Sequence, residues 1–190
     1  MGDRPTIRRI RRVQMISLVL VAAAACVPPW SGGGSTTTTG VTTTTSPVGP
    51  TPTRIAAGGD FTCAVMSDTT VRCWGRNDAG QLGDGTTTDR PTAAPVLRSP
   101  GVPLTGVATV DLGWDFACAR MFVGQVECWG SGSFGQLGDG TSSDRTSPVM
   151  VEITPGVPLS GVDQVSAGGG DPLGSSGPTP FACARTSVGT

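Results

Sequence analysis

The chain has 190 residues, 37% hydrophobic and 14% charged, with Gly 29 and Pro 16, a composition of turns and short strands rather than long helices. Its formal charge is −1 and all 13 cations are arginines; beyond residue 25, eight Arg face thirteen Asp and Glu, a charge near −5. Such a mildly acidic surface gives no electrostatic basis for nucleic-acid binding, and no nucleic-acid partner is expected.

Residues 1–25 read as an export signal. The basic "RRIRR" precedes "VQMISLVLVAAAA", 13 apolar-rich residues, too short to span a bilayer as a stable helix. The twin arginines lack the rest of a twin-arginine motif. The end "AAAAC" allows ordinary cleavage after small residues, or a lipobox in which Cys26 becomes the lipidated first residue, although Ala23 stands where a lipobox usually has Leu. Residues 26–53, rich in Thr, Ser, Gly and Pro, cannot bury enough apolar surface to offset ordering and are expected to form a tether. As a flexible coil it would reach about 30 Å. An exported chain, secreted or held at the cell surface by a lipid anchor, is the localisation implied.

Residues 54–190 hold a repeat. "GGDFTCAVMSDTTVRCWGRNDAGQLGDGTTTDR" at 58–90 and "GWDFACARMFVGQVECWGSGSFGQLGDGTSSDR" at 113–145 agree at 19 of 33 positions without a gap. The connectors "PGVPLTGV" and "PGVPLSGV" recur as well, and a third copy opens with "VSAGG", takes the insertion "GDPLGSSGPTP", and resumes at "FACARTSVGT". Within each copy the pattern is of short strands. "RIAAG" is a first strand; "DFTCAVM" and "VRCW" make a hairpin around "SDT", replaced by "FVG" in the second copy. Gly124 supplies the left-handed residue that such a three-residue loop needs at its last place, which Thr69 must fill in the first copy. "RPTAAPVLR" and "RTSPVMVEI" supply a Pro-edged fourth strand. Four short strands in about 55 residues form a propeller blade.

At "CAVMSDTTVRCWGRNDAGQLGDGT" the chain resembles the regulator of chromosome condensation repeat family, and its cysteine-containing "CWG…GQLGDGT" pattern resembles the exported bacterial branch. The resemblance implies an all-β fold of four-stranded antiparallel blades, here a partial ring of a seven-bladed propeller. It also implies a noncatalytic interaction platform. The nucleotide-exchange role of nuclear members toward a small GTPase is not carried over, because an exported chain would not meet that partner.

The glycine-rich loop is architectural on this reading. Gly75 and Gly80 have P-loop spacing, but Gln81 and Leu82 stand where Lys and Ser/Thr are needed for phosphate and magnesium. Asp78, Asp84 and Asp89 lack the order of a calcium loop. Asp84 and Asp139 are expected to bond turn amides, and Leu82 and Leu137 to plug the gaps between blades. No metal and no cofactor is called for.

The cysteines are 26, 63, 73, 118, 128 and 183. Zinc is disfavoured by the absence of His and of any C-x-x-C. Counting outward from a Met66/Thr70 pair puts Cys63 opposite Cys73 in a non-hydrogen-bonded pair about 4.5 Å apart, within disulfide range. Cys118 and Cys128 follow the same arithmetic, leaving Cys26 for lipidation. Trp74 and Trp129 recur with the scaffold and are expected in the core.

No catalytic residue is proposed: the chain has no His, no Tyr and no G-x-S-x-G elbow. Two function classes remain. One is a surface-displayed module binding a protein or glycan through loops that differ between blades; the other is the noncatalytic propeller portion of a larger exported enzyme whose catalytic domain lies beyond residue 190. The differing loop positions are Arg76, Asn77, Asp78 and Ala79 in one blade and Ser131, Gly132, Ser133 and Phe134 in the next, with the insertion at 170–180 as a third candidate. The partner-binding set is Arg76, Asn77, Asp78, Ser131, Ser133 and Phe134. Aligning the third copy on the first places Cys183 on Cys63 and Thr190 just past a hairpin tip, so the sequence is expected to continue toward another Cys-Trp-Gly.

Overall fold

The computed structural model describes residues 49–169 and 180–186, so the signal segment, Cys26, most of the tether and residues 170–179 of the insertion lie outside the described residues. The described residues contain strands and no helix. Strands β1 (Pro52–Ala57), β2 (Phe61–Met66), β3 (Val71–Gly75) and β4 (Arg90–Pro95) form one antiparallel sheet in sequence order. This is the first blade. It begins at Pro52, so Pro52 and Thr53 belong to the blade and not to the tether, with the Thr53 hydroxyl donating to the Val65 carbonyl at 3.0 Å.

The predicted fourth strand is two strands. After Pro95 the buried Val96 still donates its N–H to the Val71 carbonyl, but Leu97 turns to the Gly83 carbonyl. Strand β5 (Leu97–Ser99) then leaves the sheet and pairs with β6 (Val102–Pro103). The repeated connector "PGVPL" is therefore a small hairpin of its own, turned at Gly101 with φ 75°.

The second blade repeats the plan with β7 (Val107–Leu112), β8 (Phe116–Met121), β9 (Val126–Gly130) and β10 (Arg145–Met150), followed by the hairpin β11 (Glu152–Thr154) and β12 (Val157–Pro158). A third unit opens with β13 (Val162–Gly168) paired to β14 (Phe181–Thr186).

Both blade hairpins close as expected. Met66 N–H donates to the Thr70 carbonyl at 2.8 Å, and Thr69 alone among described non-glycine residues has positive φ, at 66°. Gly124 holds the same place at φ 77°. In consequence Cys63 faces Cys73 and Cys118 faces Cys128, each pair disulfide-bonded with Cα atoms 4.1 Å apart.

Because side chains alternate along a strand, a middle blade buries both faces. On β8, Ala117, Ala119 and Met121 join the core shared with the first blade, while Phe116 and Cys118 join the core shared with β13. Leu82 and Leu137 are fully buried, one in each of these two cores, as the sequence pattern required. Trp129 is also fully buried, and its Nε1–H donates across the joint to the Gln81 carbonyl at 2.9 Å. Trp74 departs from expectation. It alternates with the buried Cys73, so it points to the face of β3 turned away from the second blade, and it is only half-buried.

Polar ties lock the joints. The tip of the first hairpin accepts from the next blade, Gly106 N–H to Thr69 Oγ1 at 3.1 Å and Val107 N–H to the Thr69 carbonyl at 3.1 Å. Val162 N–H donates to the Gly124 carbonyl at 2.9 Å in the same way. Arg98 of β5 reaches Glu127 of β9 at 2.5 Å, covering a carboxylate whose side chain is only 4% exposed.

Candidate functional site

The loops after β3 and β9 open at one end of each blade, tied down by the residue before the second strand. Arg76 N–H donates to the Asp60 carbonyl at 3.0 Å, and Ser131 N–H to the Asp115 carbonyl at 2.9 Å. Each loop is then braced by an aspartate. Asp84 Oδ1 accepts from the Thr86 amide and hydroxyl at 3.0 and 2.6 Å, while Oδ2 accepts from Arg90 at 2.8 Å. Asp139 makes the same bonds to Thr141 and Arg145. Burial pushes both carboxyls upward, but the threonine and arginine donors outweigh it and hold them below the usual carboxylate range. Asp78 is likewise committed, to Arg76 and to Gln81, and Asp89 to the Asn77 amide. These carboxylates are spent on the loops themselves.

The six expected partner residues divide. Arg76, Asp78, Ser133 and Phe134 are exposed, Phe134 at 66%. Asn77 is not: it is fully buried, its Oδ1 accepting the Leu82 N–H at 2.9 Å and its Nδ2 donating to the Thr86 and Thr88 carbonyls at 3.0 Å each. Ser131 is buried as well. Both are corrected to internal braces. Their variation between copies has a packing cause, because the position matching Asn77 is Gly132, where a Cβ would stand 2.0 Å from the Ser143 carbonyl oxygen. The second loop closes over the space that the Asn77 side chain occupies in the first. Ala79 is half-buried, and Gly132 buried.

Electrostatically the exposed face is mixed. Arg76 lies 2.5 Å from Asp78 and 3.7 Å from Asp60, and Asp78, first through a direct hydrogen bond, raises its already high pKa. Asp115 at the neighbouring blade is different: burial pushes its carboxyl up, Ser131 and Arg76 only partly offset this, and its Oδ1 is a buried atom without a hydrogen-bond partner. Beside it Trp114 packs on Gly59, whose N–H donates to the Trp114 carbonyl at 3.2 Å. Trp114 was missed in the sequence although it satisfies the same criterion, a position that differs between copies (Gly59 against Trp114). The end of the blades thus presents an arginine between carboxylates, a partly exposed indole and an exposed phenyl ring. Charged, aromatic and apolar side chains displayed together on a braced loop frame make a surface that can recognise a partner.

Comparison with known proteins defines the class. The model described as "Regulator of chromosome condensation (RCC1) repeat" matches residues 70–120 and 124–170, and a second model of that description matches 53–81. The chain belongs to the RCC1 repeat family. It is 36% identical to the ultraviolet-B receptor UVR8 of Arabidopsis thaliana over 104 residues, 54% of this chain and 23% of that protein. It is 33% identical to the probable E3 ubiquitin-protein ligase HERC4 of Homo sapiens over 100 residues, 52% of this chain and 9% of that protein. The chain thus spans less than a quarter of the length of either relative. Among solved structures it resembles Prp20p of Saccharomyces cerevisiae, with TM-score 0.51 and 18% identity over 73% of this chain and 32% of that one. That likeness supports the propeller-blade fold seen here.

Proposed function

We propose that this protein is an exported, noncatalytic β-propeller, tethered at the cell surface through Cys26, that binds a protein partner through the loop face of its blades. The observation that carries the reading is the contrast between Arg76–Asp78 and Ser133–Phe134: one repeated blade frame displays an ionic loop and, 55 residues on, an apolar one, both in solvent. A rigid frame with divergent exposed loops suits recognition rather than turnover. Protein ligands are favoured over glycans because the solved structure of Prp20p is described by that protein's binding to Gsp1p and histones. Export is supported by the two disulfides, which persist in oxidising compartments.

The test is capture of surface proteins by the purified chain, followed by Arg76→Ala and Phe134→Ala. Both variants are expected to weaken capture at least tenfold with an unchanged melting temperature. Lost stability with unchanged capture would make these residues structural. Mass spectrometry of the mature N-terminus is expected to show an acylated Cys26, and an unmodified one would make the protein soluble and secreted. A second reading, a propeller portion of a larger exported enzyme, is favoured by one finding: HERC4, a probable ubiquitin ligase, is matched over only 9% of its length.

A further inference from the structure

The two blade copies differ in two runs of four consecutive positions, and the loop face uses one of them. That run is 76–79 against 131–134; the other is the hairpin tip, 67–70 against 122–125. The two runs stand at opposite ends of the same hairpin, since Phe61 pairs with Gly75 at the loop end and Val65 with Val71 at the tip. At the first tip Ser67 and Asp68 are polar residues in solvent, as a turn favours. At the second, Phe122 and Val123 replace them and are 67% and 76% exposed. Gly124 in place of Thr69 serves the turn; an aromatic and a β-branched residue held in water do not.

Beside the second tip is an open cleft of about 510 Å³ in the joint between the first two blades, each complete with four strands. Met121, Phe122, Val123, Pro148 and Met150 line it from the second blade, and Arg98 from β5 of the first. Apart from Met121, which matches Met66, each of these side chains differs from its counterpart: Ser67, Asp68, Ala93, Pro95 and Ile153. The edge of the cleft is fixed at Gly106, whose N–H donates to Thr69 Oγ1 at 3.1 Å and whose carbonyl accepts the Phe122 N–H at 2.9 Å. The thioethers of Met121 and Met150 adapt to an apolar guest. The charge that meets solvent is positive. Arg98 turns Nε and Nη2 to Glu127, whose side chain is 4% exposed against 49% for the arginine, so the carboxylate is covered and the guanidinium is not.

We propose that this cleft is a second binding site, for a segment of another protein that presents an apolar side chain beside a carboxylate. The apolar side chain enters between Met121, Met150 and Phe122, and the carboxylate accepts from the outer N–H groups of Arg98. The opening along Phe122 and Val123 covers only one side of a guest, which fits a residue carried on a chain better than a free small molecule that needs most of its surface enclosed. Because the loop face lies at the other end of the hairpins, the two sites can be filled together. The cleft stands on complete blades and is independent of what the loop face binds.

The experiment uses the full chain with carbon-13 in its methionine methyl groups and the probe peptide acetyl-Gly-Phe-Asp-Gly-amide. Titration is expected to shift the Met121 and Met150 methyl signals saturably and to leave that of Met66, outside the cleft, in place. Asn for Asp in the peptide should weaken binding about threefold, the scale of a half-exposed ion pair, and Lys should weaken it further. Ala for Phe should weaken it at least about tenfold. Phe122→Ser with Val123→Asp installs the tip of the first blade; it is expected to keep the melting temperature and to lose at least about tenfold in affinity. Arg98→Gln with Glu127→Gln removes both charges together and should erase the difference between the Asp and Asn peptides, while Phe134→Ala at the loop face changes nothing. No saturable shift, equal binding of the Asp and Lys peptides, or full binding by the chain with Phe122→Ser and Val123→Asp would overturn the proposal.

Discussion

The two tryptophans of the repeat occupy matching positions but different environments, and this difference can be measured. Trp129 is fully buried between blades and bonded to the Gln81 carbonyl; Trp74 is half-buried on an outer face. Truncating a core aromatic to alanine costs about 3–5 kcal/mol. The orphaned Gln81 carbonyl adds about 1–3 kcal/mol. Trp129→Ala should therefore cost about 4–8 kcal/mol, a large share of the roughly 5–15 kcal/mol that a domain has in total. Trp74→Ala, with less area to lose, should cost about 1–2 kcal/mol. The assay is urea unfolding with disulfides intact, followed by far-ultraviolet circular dichroism and linear extrapolation. Should Trp129→Ala not fold, Trp129→Phe keeps an aromatic ring of smaller size, loses the N–H, and is expected to cost at least about 1–3 kcal/mol. If Trp129→Ala and Trp74→Ala differ by less than about 1 kcal/mol, the joint is not where stability resides and the reasoning fails.

Asn77→Ala is expected to cost about 2–4 kcal/mol by stranding the buried Leu82 amide, with partner capture by the folded fraction unchanged; weakened capture at unchanged stability would restore Asn77 to the binding surface. The converse change, Gly132→Asn, should yield little folded protein, because the Ser143 carbonyl lies where the new Cβ must go, and normal expression would refute that packing. Asp84 and Asp139 have depressed folded-state pKa values, so their contribution is present above the unfolded carboxylate range and is lost as pH falls below about 4; Asp84→Asn with Asp139→Asn should flatten that acid limb of the urea midpoint. Asp115 has the opposite sign: its raised pKa favours folding at low pH and loses that favour as pH rises. Asp115→Asn should therefore raise the midpoint at pH 7 and leave it nearly unchanged at pH 3.

The blades were legible because three independent signals coincide in the chain: a repeat, a period-two alternation, and cysteines spaced to meet across a hairpin. Cys63 and Cys73 could be paired by counting alone, since a hairpin loop fixes register. The connector hairpin of β5 and β6 was hidden because "RPTAAPVLR" reads as one continuous strand ahead of the connector "PGVPL", and only the Leu97–Gly83 hydrogen bond shows where the chain leaves the sheet. The binding face was half legible. Difference between copies marks freedom from one constraint, but it cannot separate solvent from compensated packing. Asn77 differs from Gly132 because two loops fill the same volume in two ways, and that is a fact of three dimensions. Trp114 is equally visible as a difference, but it stands alone in the short turn between β7 and β8, away from the long loop and its cluster of differences.

The latches at the hairpin tips bear on how such a chain can change over generations. Val107 reaches back to Thr69 and Val162 to Gly124, each 38 residues upstream, and in each case the contacts are made by the same repeat positions. A stretch of DNA copied or lost between any point in one blade and the same point in the next restores a complete latch at the seam, whatever the point of crossover. The number of blades is thereby open to mutation in whole steps, and each newly copied blade arrives with a working joint and a loop that is free to diverge.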